Sequence, residues 1–382
     1  MKLLFISLGC DKNLVDSEYM IGMLTNHGIE LTDDETEADI IIVNSCCFIG
    51  DAKEESINTI LEMAQQKKTG KCRSLIVTGC LTQRYQEEVK QEIPEVDAIL
   101  GTNSYDSIWD AVKETLDDKF YENFHTLTGL PHVDTKRTIT TGGHFAYLKI
   151  AEGCNKNCTY CVIPSVRGRY RSVPLEELVA SAKELVAGGV KELILVAQET
   201  TLYGVDLYGE KSLHKLLDAL NEIPGLFWIR IMYCYPEEIY EELIDAMIRD
   251  KKVCHYLDMP IQHCNDSILQ RMGRKTNKKE LTARIEHLRE RIPDITLTTD
   301  VIVGFPTETN EDFLDTLSVI REVEFDQIFS FIYSRREGTP AAKLDFVLSE
   351  EEIHQNFDKM LEVQNEISKK KNLNYEGKVL EV

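Results

Sequence analysis

The chain has 382 residues, 43% of them apolar and 28% charged, with a formal net charge of −22 at neutral pH. That length predicts two or three domains of roughly 100–200 residues each, and the composition is that of an ordinary globular protein without low-complexity tracts. The acidic balance disfavours broad, nonspecific binding of phosphate backbones, whose affinity comes from Lys and Arg releasing counterions, and it suits a basic protein partner.

The apolar run Met1 to Ile6 stops at Gly9 before charged residues, too short for a signal-peptide core or a membrane span. A cytoplasmic location is therefore expected. The eleven cysteines of a long chain in a reducing compartment point to metal or redox chemistry rather than to disulfides, and the odd count agrees.

From residue 1 to about 120, short β-branched runs alternate with helical patterns. Lys2 to Ser7, Ile40 to Val43 and Ser74 to Thr78 read as strands. Asp51 to Lys68 reads as a helix whose apolar face is Ile57, Ile60, Leu61 and Ala64, closed before Gly70. This alternation predicts a doubly wound parallel α/β domain. Residues 121–143, polar and carrying Pro131 and Gly142-Gly143, read as the connection between two domains.

A second α/β series occupies 144–345, with strands expected at His144 to Ile150, Glu192 to Ala197, Phe227 to Ile231, Tyr256 to Met259, Thr296 to Val303 and Gln327 to Tyr333. Six β/α units predict an incomplete (β/α)6 barrel. In its first helix Pro174 suits the first turn, Leu175, Leu178, Val179, Ala182 and Leu185 form one face, and Gly188-Gly189 ends it. A long charged helix spans Ser349 to about Lys371, within residues 346–374. Residues 375–382 then predict, at Lys378 to Val382, the opening strand of a further domain.

The sharpest chemical signal is Cys154-Asn-Lys-Asn-Cys158-Thr-Tyr-Cys161, a CxxxCxxC placed directly after a barrel strand, in the loop region where α/β barrels keep their active sites. Iron-sulfur clusters usually take four thiolates, so three on one loop leave an iron open for a substrate. A structural zinc loop would carry paired CxxC or added histidines, and neither accompanies this one. CxxxCxxC with an aromatic, Tyr160, before its last cysteine is similar to the signature of the radical S-adenosylmethionine superfamily. That resemblance implies an open iron that chelates the cofactor's amino and carboxylate groups, and one-electron cleavage to a 5′-deoxyadenosyl radical. It also places cofactor contacts at Tyr160, at Gln198-Glu199-Thr200 after the second strand, and at Gly304 to Glu308 after the fifth. The competing view makes those two segments ordinary strand-to-helix turns with Glu199 and Glu308 as solvated caps.

A second constellation is dispersed in sequence. Cys10, Cys46 and Cys80 each directly follow a predicted strand, and the carboxyl ends of parallel strands share one edge, the usual ligand crevice. Three convergent cysteines read as another open-iron cluster. Cys47 competes with Cys46; Cys72 precedes its strand and falls at the opposite edge. Cys234, Cys254 and Cys264 stand alone and read as buried packing.

Ser7-Leu-Gly-Cys10-Asp-Lys-Asn-Leu-Val-Asp-Ser-Glu18, Asn44-Ser-Cys46-Cys-Phe-Ile49 and Thr78-Gly-Cys80-Leu-Thr-Gln-Arg84 resemble the methylthiotransferase family over almost the whole chain. Lys12 to Glu18, Asp51 to Ile57, Trp228 to Tyr233 and Pro260 to His263 resemble the branch that modifies the β-carbon of an aspartate in the twelfth small-subunit ribosomal protein, rather than the branch acting on a transfer-RNA purine. The resemblance implies two 4Fe-4S clusters, on Cys10, Cys46 and Cys80 and on Cys154, Cys158 and Cys161. One S-adenosylmethionine then methylates a sulfur at the first cluster, and a second is cleaved at the other. It implies an electron donor of flavodoxin or ferredoxin type, no membrane, no requirement for direct nucleic-acid binding, and a C-terminal β-barrel, TRAM, of which only the first strand is expected here. It assigns no catalytic acid or base. A non-catalytic iron-sulfur carrier is the rival from another class, and it gains nothing from unfilled coordination.

Overall fold

The computed structural model describes residues 1–133 and 135–380. The chain divides into two compact units, one of residues 1–155, 162–178 and 187–190, the other of residues 156–161, 179–186 and 191 onward.

The first unit opens with β1 (Lys2–Ser7), α1 (Asp11–Asn26), β2 (Glu30–Leu31), β3 (Ile40–Ser45), α2 (Gly50–Thr69) and β4 (Ser74–Gly79). The short helices α3 (Cys80–Arg84) and α4 (Gln86–Glu92), then β5 (Ala98–Leu100), α5 (Ile108–Leu116) and β6 (Tyr121–Asn123) come next. All six strands are parallel, in the order β2-β1-β3-β4-β5-β6. Alternation divides the core between the two faces. Ile41, Val43, Leu75, Val77 and Ile99 meet Ile60 and Met63 of α2. Ile40, Ile42, Ile76, Ala98 and Leu100 meet Met20 and Leu24 of α1 and Ile108, Ala111 and Val112 of α5. With helices on both faces, β3 and β4 are buried throughout, as all-parallel strands must be. Each fully buried aliphatic side chain contributes about 1.5–3 kcal/mol.

On α2 the inward stripe is Ser56, Ile60, Met63 and Ala64, not the expected set with Leu61, which is exposed. Positions i, i+4, i+7 and i+8 share one face, and Met63 completes it where Leu61 lies about a quarter turn away. The expected connection 121–143 begins as β6, which extends the sheet beside β5.

The same unit carries β7 (Phe145–Lys149), β8 (Ala151–Glu152), α6 (Ile163–Arg167) and β9 (Arg171–Ser172), the last pairing antiparallel with β8. Helix α7 (Leu175–Ala187) follows, its residues 175–178 counted with the first unit and 179–186 with the second, and Leu178, Ala182 and Leu185 are buried as the spacing predicts.

The second unit holds β10 (Glu192–Val196), α8 (Val205–Tyr208), α9 (Leu213–Asn221), β11 (Trp228–Ile231), α10 (Glu241–Arg249) and β12 (Val253–Asp258). It continues with α11 (Asp266–Arg271), α12 (Lys278–Arg291), β13 (Thr296–Val303), α13 (Asn310–Val323), β14 (Gln327–Ile332) and α14 (Glu350–Asn372). Its strands run parallel in the unbroken order β14-β13-β12-β11-β10, so their carboxyl ends also share one edge. β12 starts three residues before the expected Tyr256, because Val253 already pairs with Ile229. α14 opens on a reciprocal capping box between Ser349 and Glu352.

Lys378–Leu380 form no strand, and Glu381 and Val382, the rest of the expected opening strand of TRAM, lie outside the described residues. Among the described residues no helix is long and apolar enough to cross a membrane.

Candidate active site

In the first unit the strand order reverses between β1 and β3, the position at which doubly wound sheets bind ligands. Cys10 follows β1, Cys46 follows β3, and Cys80 follows β4. Two glycines let these strand ends close on one another. Gly9 has φ +98°, and a Cβ there would stand 2.9 Å from Cys46 Cβ and 3.2 Å from Cys46 Sγ. Gly79 has φ +101°, and a Cβ there would stand 2.5 Å from the Ser45 carbonyl and closer still to Asn44 Oδ1. Each glycine immediately precedes a cysteine, so each permits a close approach that an L side chain forbids.

Cys10 is exposed, whereas Cys46 and Cys80 are buried. Burial pushes the Cys46 thiol up, against hydrogen bonding from the Phe48 N–H; Cys10 adds to the rise and Arg167 opposes it. Burial lifts the Cys80 thiol to about 12, with Arg167 opposing and Cys10, Cys46 and Cys47 adding. Ser56 fixes the Cys46 backbone, its hydroxyl accepting from the Cys46 N–H and donating to the Cys46 carbonyl, both at 2.9 Å.

Cys47 turns elsewhere: its thiol donates to the Cys80 carbonyl at 3.2 Å and packs in the apolar core with Ile60 and Leu81. Cys72 lies ahead of β4, its thiol donating to the Ser74 carbonyl at 3.5 Å. Among the described residues, no three His, Cys, Asp or Glu side chains converge tightly enough for a single metal ion. A multi-iron cage, whose ligands stand apart around it, does not need that convergence. Three thiols that follow three neighbouring parallel strands, drawn together at Gly9 and Gly79, fit such a cage.

Cys154 belongs to the first unit, where its N–H donates to the Gly168 carbonyl at 3.1 Å. Cys158 and Cys161 belong to the second, joined by a Cys161 N–H to Cys158 carbonyl bond of 3.1 Å. Thr159 anchors their turn: its N–H donates to the Met272 carbonyl at 2.9 Å and its hydroxyl to the Arg271 carbonyl at 2.7 Å. Tyr160 is buried with Cys158, Ile268, Met272 and Phe305, and its carbonyl accepts from Arg336 at 2.6 Å. Burial and the neighbouring cysteines hold its phenol well above the usual value.

Glu199, just beyond β10, is fully buried rather than a solvated cap. Its Oε1 accepts from the Thr201 N–H at 3.1 Å and from the Thr201 hydroxyl. Its Oε2 is buried without a hydrogen bond among the described residues, the Lys156 ammonium standing 3.9 Å away. Burial raises this carboxyl to about 7, with Thr201 and Lys156 opposing. A buried carboxylate oxygen without a donor, at the carboxyl edge of the strands, fits the ammonium of an amino-acid cofactor. Gln198 beside it is half-buried.

Glu308 is also buried, but its Oε2 accepts from the Phe305 N–H at 2.8 Å and closes its own turn, with His263 at 3.6 Å from Oε1. Gly304 packs against α14, where a Cβ would meet Ile353 at 2.6 Å. Of the segment expected to contact adenosine, these two residues therefore already have structural roles. Cys234 and Cys264 are fully buried and Cys254 half-buried.

Sequence spacing missed several residues at these edges. Tyr233, Gln262 and Thr307 adopt left-handed φ of 59°, 69° and 78°, each shortly after a strand of the second unit; such strain collects at working sites. Arg274 is buried, stacked 4.3 Å above the Tyr235 ring and bonded to Glu237 at 3.2 Å. Nothing in its local pattern marks it.

Two family models match the chain, an uncharacterized family designated UPF0004 over residues 2–101 and the radical SAM superfamily over residues 148–320. The ribosomal protein uS12 methylthiotransferase RimO of Lachnoclostridium phytofermentans is 56% identical over the whole chain and 87% of its own length. RimO of Clostridioides difficile is 48% identical over the whole chain and 86% of its own. Among solved structures, the radical S-adenosylmethionine methyltransferase TsrM from Kitasatospora setae, with cobalamin and a 4Fe-4S cluster bound, superposes with a TM-score of 0.64 at 13% identity, over 89% of this chain and 74% of that one. The cobalamin-dependent S-adenosylmethionine radical enzyme OxsB gives 0.61 at 11% identity, over 96% and 56%. At those identities the likeness is one of fold. With half the residues shared end to end, the chain belongs to the RimO family of radical SAM methylthiotransferases.

Proposed function

We propose that the chain transfers a methylthio group to the β-carbon of an aspartate in ribosomal protein uS12, using two 4Fe-4S clusters and S-adenosylmethionine as both methyl donor and radical source. The observation that carries this reading is the second cysteine group. A radical enzyme needs one open-iron cluster, and a further set at Cys10, Cys46 and Cys80 gives the sulfur to be transferred a place of its own. When bound, the clusters and cofactor supply one-electron cleavage, methyl donation and hydrogen abstraction.

The protein's own residues bind, orient and exclude water. Cys154, Cys158 and Cys161 hold the radical cluster, with Tyr160 buried beside Cys158 to keep solvent from it. Glu199 offers an oxygen that lacks a donor to the cofactor's ammonium, and Gln198 extends that contact. Gly304 and Glu308 shape the turn after β13 against which the adenosine rests. Residues 1–120 form the domain of the sulfur site, 144–345 an incomplete (β/α)6 barrel, and 346–374 a C-terminal helix. A flavodoxin or ferredoxin serves as donor, and the location is cytoplasmic. The net charge of −22 suits a basic ribosomal protein as substrate.

The test is anaerobic reconstitution with iron and sulfide, reduction with dithionite, and mass spectrometry after adding S-adenosylmethionine and uS12. The expected result is an aspartate heavier by one methylthio group together with released 5′-deoxyadenosine. Unmodified protein without 5′-deoxyadenosine would favour the electron-carrier alternative.

A further inference from the structure

We propose that Asn13 and Arg167 are positioning residues of the Cys10, Cys46 and Cys80 site: Asn13 ties the three cysteine-bearing strand ends together, and Arg167 places a fixed positive charge beside their sulfurs. This rests on reading that site as a cluster site.

Asn13 lies in the first turn of α1 and is fully buried. Its Nδ2 donates to the Leu8 carbonyl at 3.1 Å, two residues before Cys10, and to the Ser45 carbonyl at 3.2 Å, one residue before Cys46. Its Oδ1 stands 3.9 Å from Cys80 Sγ. Its own carbonyl accepts from Asn44 Nδ2 at 2.9 Å. One amide therefore reaches all three strand ends, and no shorter or charged side chain supplies two donors and an acceptor from that position.

Arg167 ends α6 and is also buried. Its Nη2 donates to Asn13 Oδ1. Its Nη1 donates to Asp16 at 2.8 Å and to Glu152 at 3.1 Å. Lys149 pairs with the same two carboxylates, at 2.9 Å for Glu152. Two cations and two carboxylates thus balance, and the guanidinium is held at the Asn13 edge of the group. Asn13 Oδ1 thus lies between the Arg167 guanidinium, which donates to it, and Cys80 Sγ at 3.9 Å, so the cation stands one atom removed from a cysteine sulfur. The desolvation of a buried cation is offset only when anions surround it; Asp16 and Glu152 supply those anions on the side away from Asn13 Oδ1. Adding an electron to a cluster adds negative charge, so the fixed cation favours the reduced form and raises the cluster's reduction potential.

The test uses the full chain with Cys154, Cys158 and Cys161 replaced by Ala, so that only the first site binds a cluster, read by iron and sulfide content and by a dithionite titration followed by electron paramagnetic resonance. Removing Arg167 alone strands two carboxylates on one cation, so Arg167→Met is combined with Asp16→Asn, and Asp16→Asn alone is the control for the carboxylate. Arg167→Met with Asp16→Asn is expected to keep its iron while the reduction equilibrium falls about tenfold against that control, about 59 mV for one electron. Arg167→Lys is expected to stay near the parent. Asn13→Ala is expected to lose iron and sulfide while its circular dichroism is unchanged. A double variant with the control's potential, or Asn13→Ala with the parent's full iron, overturns the proposal. If the parent itself binds no cluster through Cys10, Cys46 and Cys80, the reading of the site fails, and the proposal with it.

Discussion

Replacing Glu199 by Gln changes stability in a way that depends on pH, with a sign and size set by the site. The carboxyl stands at about 7 in the folded chain against an ordinary 4.5. Because the folded value is raised, its contribution to stability is fully present below pH 4.5 and is lost as pH rises through about 7. A pKa difference of one corresponds to about 1.4 kcal/mol, so the loss approaches about 3 kcal/mol by pH 8. Glutamine at this position has no charge to desolvate and keeps the Thr201 bond, so the variant escapes this loss. Denaturant unfolding of cofactor-free chain at pH 5 and pH 8, with and without Glu199→Gln, measures it as a double difference from which titrating groups not coupled to Glu199 cancel. A small part of the loss has already occurred at pH 5, so the variant's advantage over the parent is expected to grow by about 2–3 kcal/mol between the two conditions. An advantage equal at both values means that the carboxyl titrates normally, and Oε2 then needs no cationic partner. The same substitution is expected to weaken S-adenosylmethionine binding, read by equilibrium dialysis against reconstituted chain.

Cys158→Ala is expected to abolish release of 5′-deoxyadenosine, and Cys80→Ala to spare that release and stop methylthio transfer; chromatography of the nucleoside and mass spectrometry of uS12 separate the two. Gly79→Ala drives a Cβ to 2.5 Å from the Ser45 carbonyl at a φ of +101°, so it costs more than about 1 kcal/mol and lowers iron content at the first site, measured after reconstitution. Ile42→Ala, at a fully buried position of β3, costs about 2–5 kcal/mol in denaturant unfolding. Ser349→Ala removes one half of the α14 capping box and costs about 1 kcal/mol, read as a lowered unfolding midpoint.

How far the sequence discloses this site follows from the range over which its regularities act. Cys10, Cys46 and Cys80 are legible although they are far apart, because a parallel sheet turns "after a strand" into "at one edge", and the strands announce themselves by β-branched runs. Cys47 is separated from Cys46 only by which way each thiol turns, which adjacent positions in sequence do not encode. On α2 the spacing revealed the helix but placed Leu61 on the stripe that Met63 fills, since a face is defined to within one residue until something packs on it. Glu199 shows a different limit: its position after β10 is readable, its depth is not, and depth is what lifts its carboxyl to about 7. Arg167 and Asn13 lie furthest from reach. They are 154 residues apart, and Arg167 sits on a five-residue helix with no periodicity to mark an inward face. What joins them is burial of charge, a cost that must be met by whichever anions the fold brings near. The buried polar residues beside the first cysteine group are therefore set by tertiary electrostatics, while the cysteines themselves are set by strand topology, and only the second kind leaves a pattern along the chain.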